Sequence, residues 1–90
     1  MTRAHLLLAR CLQADGLDAE GLRQQLTRSG CPVGLITVEM LIAGRLVPGE
    51  RLRRAIDAYV ARGAVEHRRG WPAWSIPDRL WDAPVPDEAA

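Results

Sequence analysis

Residues 37–76, TVEMLIAGRLVPGERLRRAIDAYVARGAVEHRRGWPAWSI, carry the strongest fold signals of this chain. Gly44 is typical of the residue that follows a helix C-terminus, and Pro48 suits the first position of a new helix. The segment 48–62 has apolar residues at helical spacing, which predicts an amphipathic helix with arginines on its other side. Beyond this helix, apolar and polar residues alternate on both sides of a glycine turn. This alternation predicts a β-hairpin over 64–76.

The order of these elements resembles the winged helix-turn-helix family: a short helix, a tight turn, a basic amphipathic helix and a hairpin with a basic tip. The resemblance implies an α+β, mainly α fold, with a three-helix core, an extra N-terminal helix and a C-terminal β-hairpin wing. It also implies double-stranded DNA binding by a small transcriptional regulator. In such a protein, recognition helix 48–62 enters the major groove and wing 64–76 lies on the DNA backbone.

The N-terminal half predicts the remaining helices. Thr2 can cap a first helix over 2–14, and Asp18 can cap a second helix that contains Leu22 and Leu26 on its apolar side. A short strand is expected at 33–36, where a winged domain would pair it with the hairpin. The third helix is predicted from Thr37, as its N-cap, to Ala43.

Length and composition indicate one folded domain, over residues 1–81, followed by an acidic, proline-containing tail over 82–90. Apolar residues make up 48% of the chain, which argues against wholesale disorder. The net charge is +1, but residues 1–77 hold eleven arginines against seven acids, whereas residues 78–90 hold one arginine against four acids. No stretch approaches the ~20 apolar residues that would span a membrane, and no signal peptide is visible. We therefore predict a cytoplasmic protein without a membrane partner.

The predicted DNA contacts combine the recognition helix, the turn before it and the wing. Arginine side chains can reach phosphates and base edges, a glycine permits close backbone approach, and a tryptophan near the tip could stack on a base. The candidate DNA-binding residues are Arg45, Gly49, Arg51, Arg53, Arg54, His67, Arg68, Arg69 and Trp71.

The other two tryptophans have different predicted roles. Trp74 alternates with Ile76 and is expected to pack beneath the hairpin. Trp81 is expected to fold the tail back onto the body of the domain.

No sequence pattern indicates catalysis. A phosphate-binding loop and a Gly-x-Ser-x-Gly elbow are both absent from the sequence, so the prediction is a protein that is not an enzyme, without catalytic residues or cofactors. His5, His67, Cys11 and Cys31 could converge on zinc, but each is more simply placed in the core or on the surface. No metal site is predicted, and the cysteines are interpreted as two small buried thiols.

A protein-interaction module on the same scaffold is the alternative function. It is favoured by the small net charge and by the acids Glu50 and Asp57, which can pair with arginines of the predicted recognition helix. A small inhibitor or adaptor, such as phages encode, would have these features. Under the DNA-binding function, the extra helix 2–14 offers a surface for a homodimer, which would imply a two-fold symmetric DNA site.

An older-style five-helix repressor is a third interpretation. Four residues loosely match its pattern: Val38, Gly44, Arg45 and Pro48. Its recognition helix would be 35–43, with Ile36 and Met40 on the exposed side. Because such a surface is too apolar to read base edges, this interpretation ranks below the winged one.

Overall fold

Four α-helices and two short helical turns follow one another in residues 1–85, the part of the chain that the computed structural model describes. They are α1 (Arg3–Asp15), α2 (Ala19–Arg28), α3 (Leu35–Ile42), α4 (Glu50–Gly63), a π-helical turn (Ala64–Arg68) and a 3₁₀ turn (Asp78–Asp82). These residues form no β-strand, and one isolated antiparallel bridge joins Thr2 to Pro84. The predicted α+β fold with a β-hairpin wing is therefore wrong for the described residues.

The segment predicted as wing 64–76 continues the path of α4 instead of turning into a hairpin. Gly63 belongs to α4, and the chain passes directly into the π-helical turn. Only Arg69 and Gly70, with φ of 50° and 87°, end this helical path. The alternation of apolar and polar residues was too short to distinguish a strand from a wide helical turn.

The start of α1 was predicted correctly from its cap. The Thr2 hydroxyl accepts from the His5 backbone N–H, and the His5 ring accepts from the Thr2 backbone N–H at 2.9 Å, which completes a capping box. Since Nδ1 of His5 is then an acceptor, its Nε2–H donates to the Leu46 carbonyl at 2.7 Å. His5 therefore links α1 to the turn before α4.

The predicted N-cap of α2 is correct, whereas the predicted N-cap of α3 is wrong. Asp18 caps α2 as predicted, accepting from the Gly21 N–H at 2.8 Å. The third helix begins at Leu35 with Gly34 as its N-cap, so the prediction of Thr37 as the cap is wrong. The strand predicted at 33–36 is wrong as well, because α3 occupies its second half.

The turn between α3 and α4 follows the glycine signal. Gly44 has φ of 77° and ends the helical path after α3, while the Arg45 N–H donates to the Met40 carbonyl at 2.9 Å. Helix α4 begins at Glu50 with Gly49 as its N-cap, so Pro48 precedes the helix instead of opening it.

One core joins all four α-helices and the 3₁₀ turn. Trp81 is only 1% exposed, and its ring meets that of His5 edge-on at a centroid distance of 5.1 Å. The expectation that Trp81 folds back onto the domain is therefore confirmed. Trp74 is 57% exposed, so its predicted place in the core is wrong. Residues that form the core are Ala4, Leu8, Cys11, Leu12, Leu22, Leu26, Cys31, Val38, Leu41, Ala55, Ile56, Tyr59, Val60, Ile76 and Trp81.

Candidate functional site

Three of the predicted DNA-contacting arginines lie on the first turns of α4, but their environments differ. Arg51 is exposed and donates to the Gly30 carbonyl at 3.2 Å. Arg54 is exposed and pairs with Glu50 at 2.5 Å. Arg53 is partly buried, because its Nε–H donates to the Pro48 carbonyl at 2.9 Å and its guanidinium lies 6.0 Å from the centroid of the Trp81 ring. Arg53 therefore helps to hold the fold.

The remaining predicted contacts divide between the two ends of α4. Arg45 and Gly49 are exposed near its start. His67, Arg69 and Trp71 are exposed beyond its end. A helix of 14 residues spans about 21 Å. The exposed members of the predicted set therefore form two groups, separated by about the length of α4.

Arg68, predicted to lie at an exposed wing tip, is instead buried and only 8% exposed. Its Nε–H donates to the Asp15 carboxylate at 2.9 Å, and both side chains are almost wholly buried. The guanidinium also donates to the carbonyls of Val60 at 2.6 Å, Trp71 at 3.1 Å and Ala73 at 3.2 Å. The placement of Arg68 in the DNA contact is therefore corrected: this side chain fastens segment 64–75 to α1 and α4.

Two titratable side chains complete the cluster around Arg68. The Tyr59 hydroxyl donates to Asp15 at 2.6 Å, and burial, this hydrogen bond and the Asp15 charge together raise the pKa of Tyr59 far above its ordinary range. Burial also raises the pKa of the Cys11 thiol, and the nearby Arg68 charge offsets only part of this rise. A buried thiol held in its neutral form is a poor nucleophile. The geometry of this cluster is that of a structural anchor.

Both cysteines are buried, as the sequence interpretation expected, and neither forms a disulfide within residues 1–85. Among residues 1–85, no group of three or more His, Cys, Asp or Glu side chains is placed to hold a metal ion. Both ring nitrogens of His5 are hydrogen-bonded, one to the backbone N–H of Thr2 and the other to the Leu46 carbonyl.

The outer side of α3 exposes several large apolar side chains. Ile36 is 76% exposed, Leu35 and Met40 are each 42% exposed, and Val47 in the following turn is 52% exposed. Six of the eight residues of α3, LITVEMLI, are apolar, although only Val38 and Leu41 are buried in the core. A helix that is apolar on all sides ordinarily has all sides covered.

A shallow hollow lies beside this apolar side of α3. Its volume is about 340 Å³, and it is lined by Ile36, Glu39, Met40, Ala43 and Arg45. We use the name α3 face for the exposed apolar residues Leu35, Ile36, Met40, Ala43 and Val47 together with Glu39 and Arg45.

A second, larger hollow adjoins the α3 face. Its volume is about 480 Å³, and it lies between α1, α2 and α3. Leu12, Leu17 and Ile42 line it, with carboxylates at Asp18 and Glu39. Glu39 therefore lies between the two hollows and is the sole charged residue of α3.

Sequence interpretation identified only part of the α3 face. Met40 was noted as an outward apolar residue, and Arg45 was proposed as a DNA contact. The winged interpretation places Leu35 and Ile36 in a strand, where one of the two would be buried, whereas the five-helix interpretation places Ile36 and Met40 on the exposed side of a helix over 35–43. The signal that was available is the apolar run on both sides of Thr37, which leaves Glu39 as the single charged residue of α3.

None of the helices in residues 1–85 combines the length and the apolar character that a membrane span requires. Comparison with protein-family models, with curated proteins and with solved structures found no match to this chain.

Proposed function

We propose that this protein is a protein-interaction module that docks a partner through the α3 face. The observation that carries the proposal is the exposure of Leu35, Ile36 and Met40 on a helix whose single charge is Glu39. Contiguous exposed apolar side chains rimmed by charge are typical of interaction surfaces in soluble proteins.

The chemistry of α3 opposes a role in reading DNA. The commonest specific base contacts come from Arg, Lys, Asn and Gln, and α3 has none of these, since Thr37 and Glu39 are its only hydrogen-bonding side chains. Leucine, isoleucine and methionine offer only apolar contact, and the Glu39 carboxylate repels phosphates. In a helix-turn-helix arrangement with α3 as its second helix, the face that would enter the major groove is therefore unsuited to it.

Double-stranded DNA binding is the second candidate, carried by a different surface. Arg45, Arg51 and Arg54 are exposed around the start of α4, with Glu50 as the acid among them. Arginines grouped in this way support contact with phosphates without base reading. Under this candidate the protein would bind DNA weakly and without sequence preference. The cytoplasmic location expected from the sequence stays a prediction.

Site-specific photo-crosslinking tests the first candidate. We expect a benzophenone amino acid at position 36 to form an adduct with one defined protein in the cells that produce the chain, identified by mass. The same group at position 58, an exposed alanine on α4, is the matched control and should not form this adduct. Met40→Asp in the position 36 variant should abolish the adduct. No protein adduct from position 36, or the same adduct from both positions, would refute the proposal.

A further inference from the structure

We propose that the partner of the α3 face is a second copy of this chain, bound across a two-fold axis that passes through the hollow beside α3. This inference rests on the proposed function and specifies its partner. It differs from the dimer expected through the N-terminal helix, because the apolar side of α1 is used by the core: Ala4, Leu8, Cys11 and Leu12 are all buried.

Charge complementarity within the α3 face supports a second copy. A two-fold interface brings a patch against itself, so the patch must be self-complementary. Glu39 and Arg45 line the same hollow with opposite charges, together with the apolar residues Ile36, Met40 and Ala43. Within residues 1–85, neither side chain has an ion-pair partner. Each is therefore available to pair with the opposite residue of another copy.

The position of the hollow places the two-fold axis. Helix α3 ends at Ile42, and Gly44, with φ of 77°, turns the chain, so the hollow lies along the C-terminal half of α3 and the turn that follows it. An axis through the hollow brings Glu39 of each copy towards Arg45 of the other, with Met40 and Ala43 of both copies between these pairs. Apolar residues thus meet apolar residues and the acid meets the base, twice each by symmetry.

The overall charge presents no barrier to this association. The net charge is +1, so two copies repel each other weakly, and a charge near zero favours self-association. A different protein partner would need its own complementary face, whereas the second copy already has one.

Sedimentation velocity on the purified chain across a wide concentration range tests the proposal. We expect the wild type to shift from monomer to dimer, and Ile36→Asp to remain monomeric. The matched control Ala58→Asp places the same charge on an exposed position of α4 and should dimerise like the wild type. Unchanged circular dichroism of each variant would show that folding is retained.

A charge swap tests the pairing of Glu39 of one copy with Arg45 of the other. Glu39→Arg sets two arginines against each other and Arg45→Glu sets two acids against each other, so each should weaken dimerisation by about tenfold. The double variant Glu39→Arg/Arg45→Glu restores opposite charges and should recover the wild-type dissociation constant. If the double variant dimerised as weakly as the combined effects of the two single changes predict, this pairing would be overturned.

The outcomes separate this inference from the proposed function. A wild type that stays monomeric, together with a position 36 adduct to a different protein, would refute the second copy and leave the docking function intact. A position 36 adduct of twice the mass of the chain supports both. Absence of any adduct and of any dimer would refute both.

Discussion

Replacing Arg68 with alanine should destabilise the whole domain. Its guanidinium is paired with Asp15 in the interior and donates to three backbone carbonyls of segment 60–73. Removing one partner of a buried ion pair typically costs about 3–5 kcal/mol, since the remaining charge is left buried without compensation. A domain of this length has a total stability of about 5–13 kcal/mol, so Arg68→Ala should remove a large fraction of it.

Urea unfolding followed by far-ultraviolet circular dichroism measures this loss. The matched control is Arg69→Ala, because Arg69 is the exposed neighbour of Arg68 and its loss should change the free energy of unfolding by less than about 0.5 kcal/mol. Replacing both partners of the pair, in Asp15→Leu/Arg68→Met, should cost less than Arg68→Ala alone, because no charge is then left buried. If Arg68→Ala were as stable as Arg69→Ala, the role of Arg68 as a structural anchor would be refuted.

Two further changes test the core. The raised pKa of Tyr59 means that the folded state keeps this proton more tightly than the unfolded chain, whose tyrosines titrate near 10. The stability that results is present below about pH 10 and is lost as pH rises above it, by up to about 1.4 kcal/mol per pH unit. The raised pKa of Cys11 adds a loss that begins near pH 9. When the free energy of unfolding in urea is measured at a series of alkaline pH values, it should therefore fall less steeply with pH in Tyr59→Phe than in the wild type. Parallel plots of this free energy against pH would contradict this. Trp81→Ala should cost about 3–5 kcal/mol, whereas the exposed Trp74→Ala should cost less than about 1 kcal/mol, and equal losses in thermal or urea unfolding would show that Trp81 is not part of the core.

Local backbone chemistry accounts for the elements that were predicted correctly. Thr2 and Asp18 each precede a helix and satisfy free backbone N–H groups, so the sequence alone identifies those helix starts. Gly44 adopts a positive φ that other residues rarely adopt, and this ended the helical path where expected. Helix caps and glycine turns depend only on residues that are close in sequence, so they can be predicted from the sequence alone.

The hairpin failed as a prediction because a distant contact decides that segment. Arg68 was interpreted as an exposed charge, whereas Asp15, 53 residues earlier in the chain, binds it in the interior. No sequence pattern pairs these two residues. The same limit applies to the α3 face: Leu35 and Ile36 are visibly apolar, but their exposure follows only from how α3 packs on its other side.

The response of α3 to DNA is the most direct test of the account. The measurement is a titration of the ¹⁵N-labelled chain with a random-sequence duplex at low salt, followed by amide chemical shifts. We predict that the amides of Leu35–Ile42 do not shift, and that any changes centre on Arg45, Arg51 and Arg54 and vanish as salt is raised. The largest shifts on α3, lost in Ile36→Asp, would contradict a protein-docking role and identify α3 as the DNA-contacting helix.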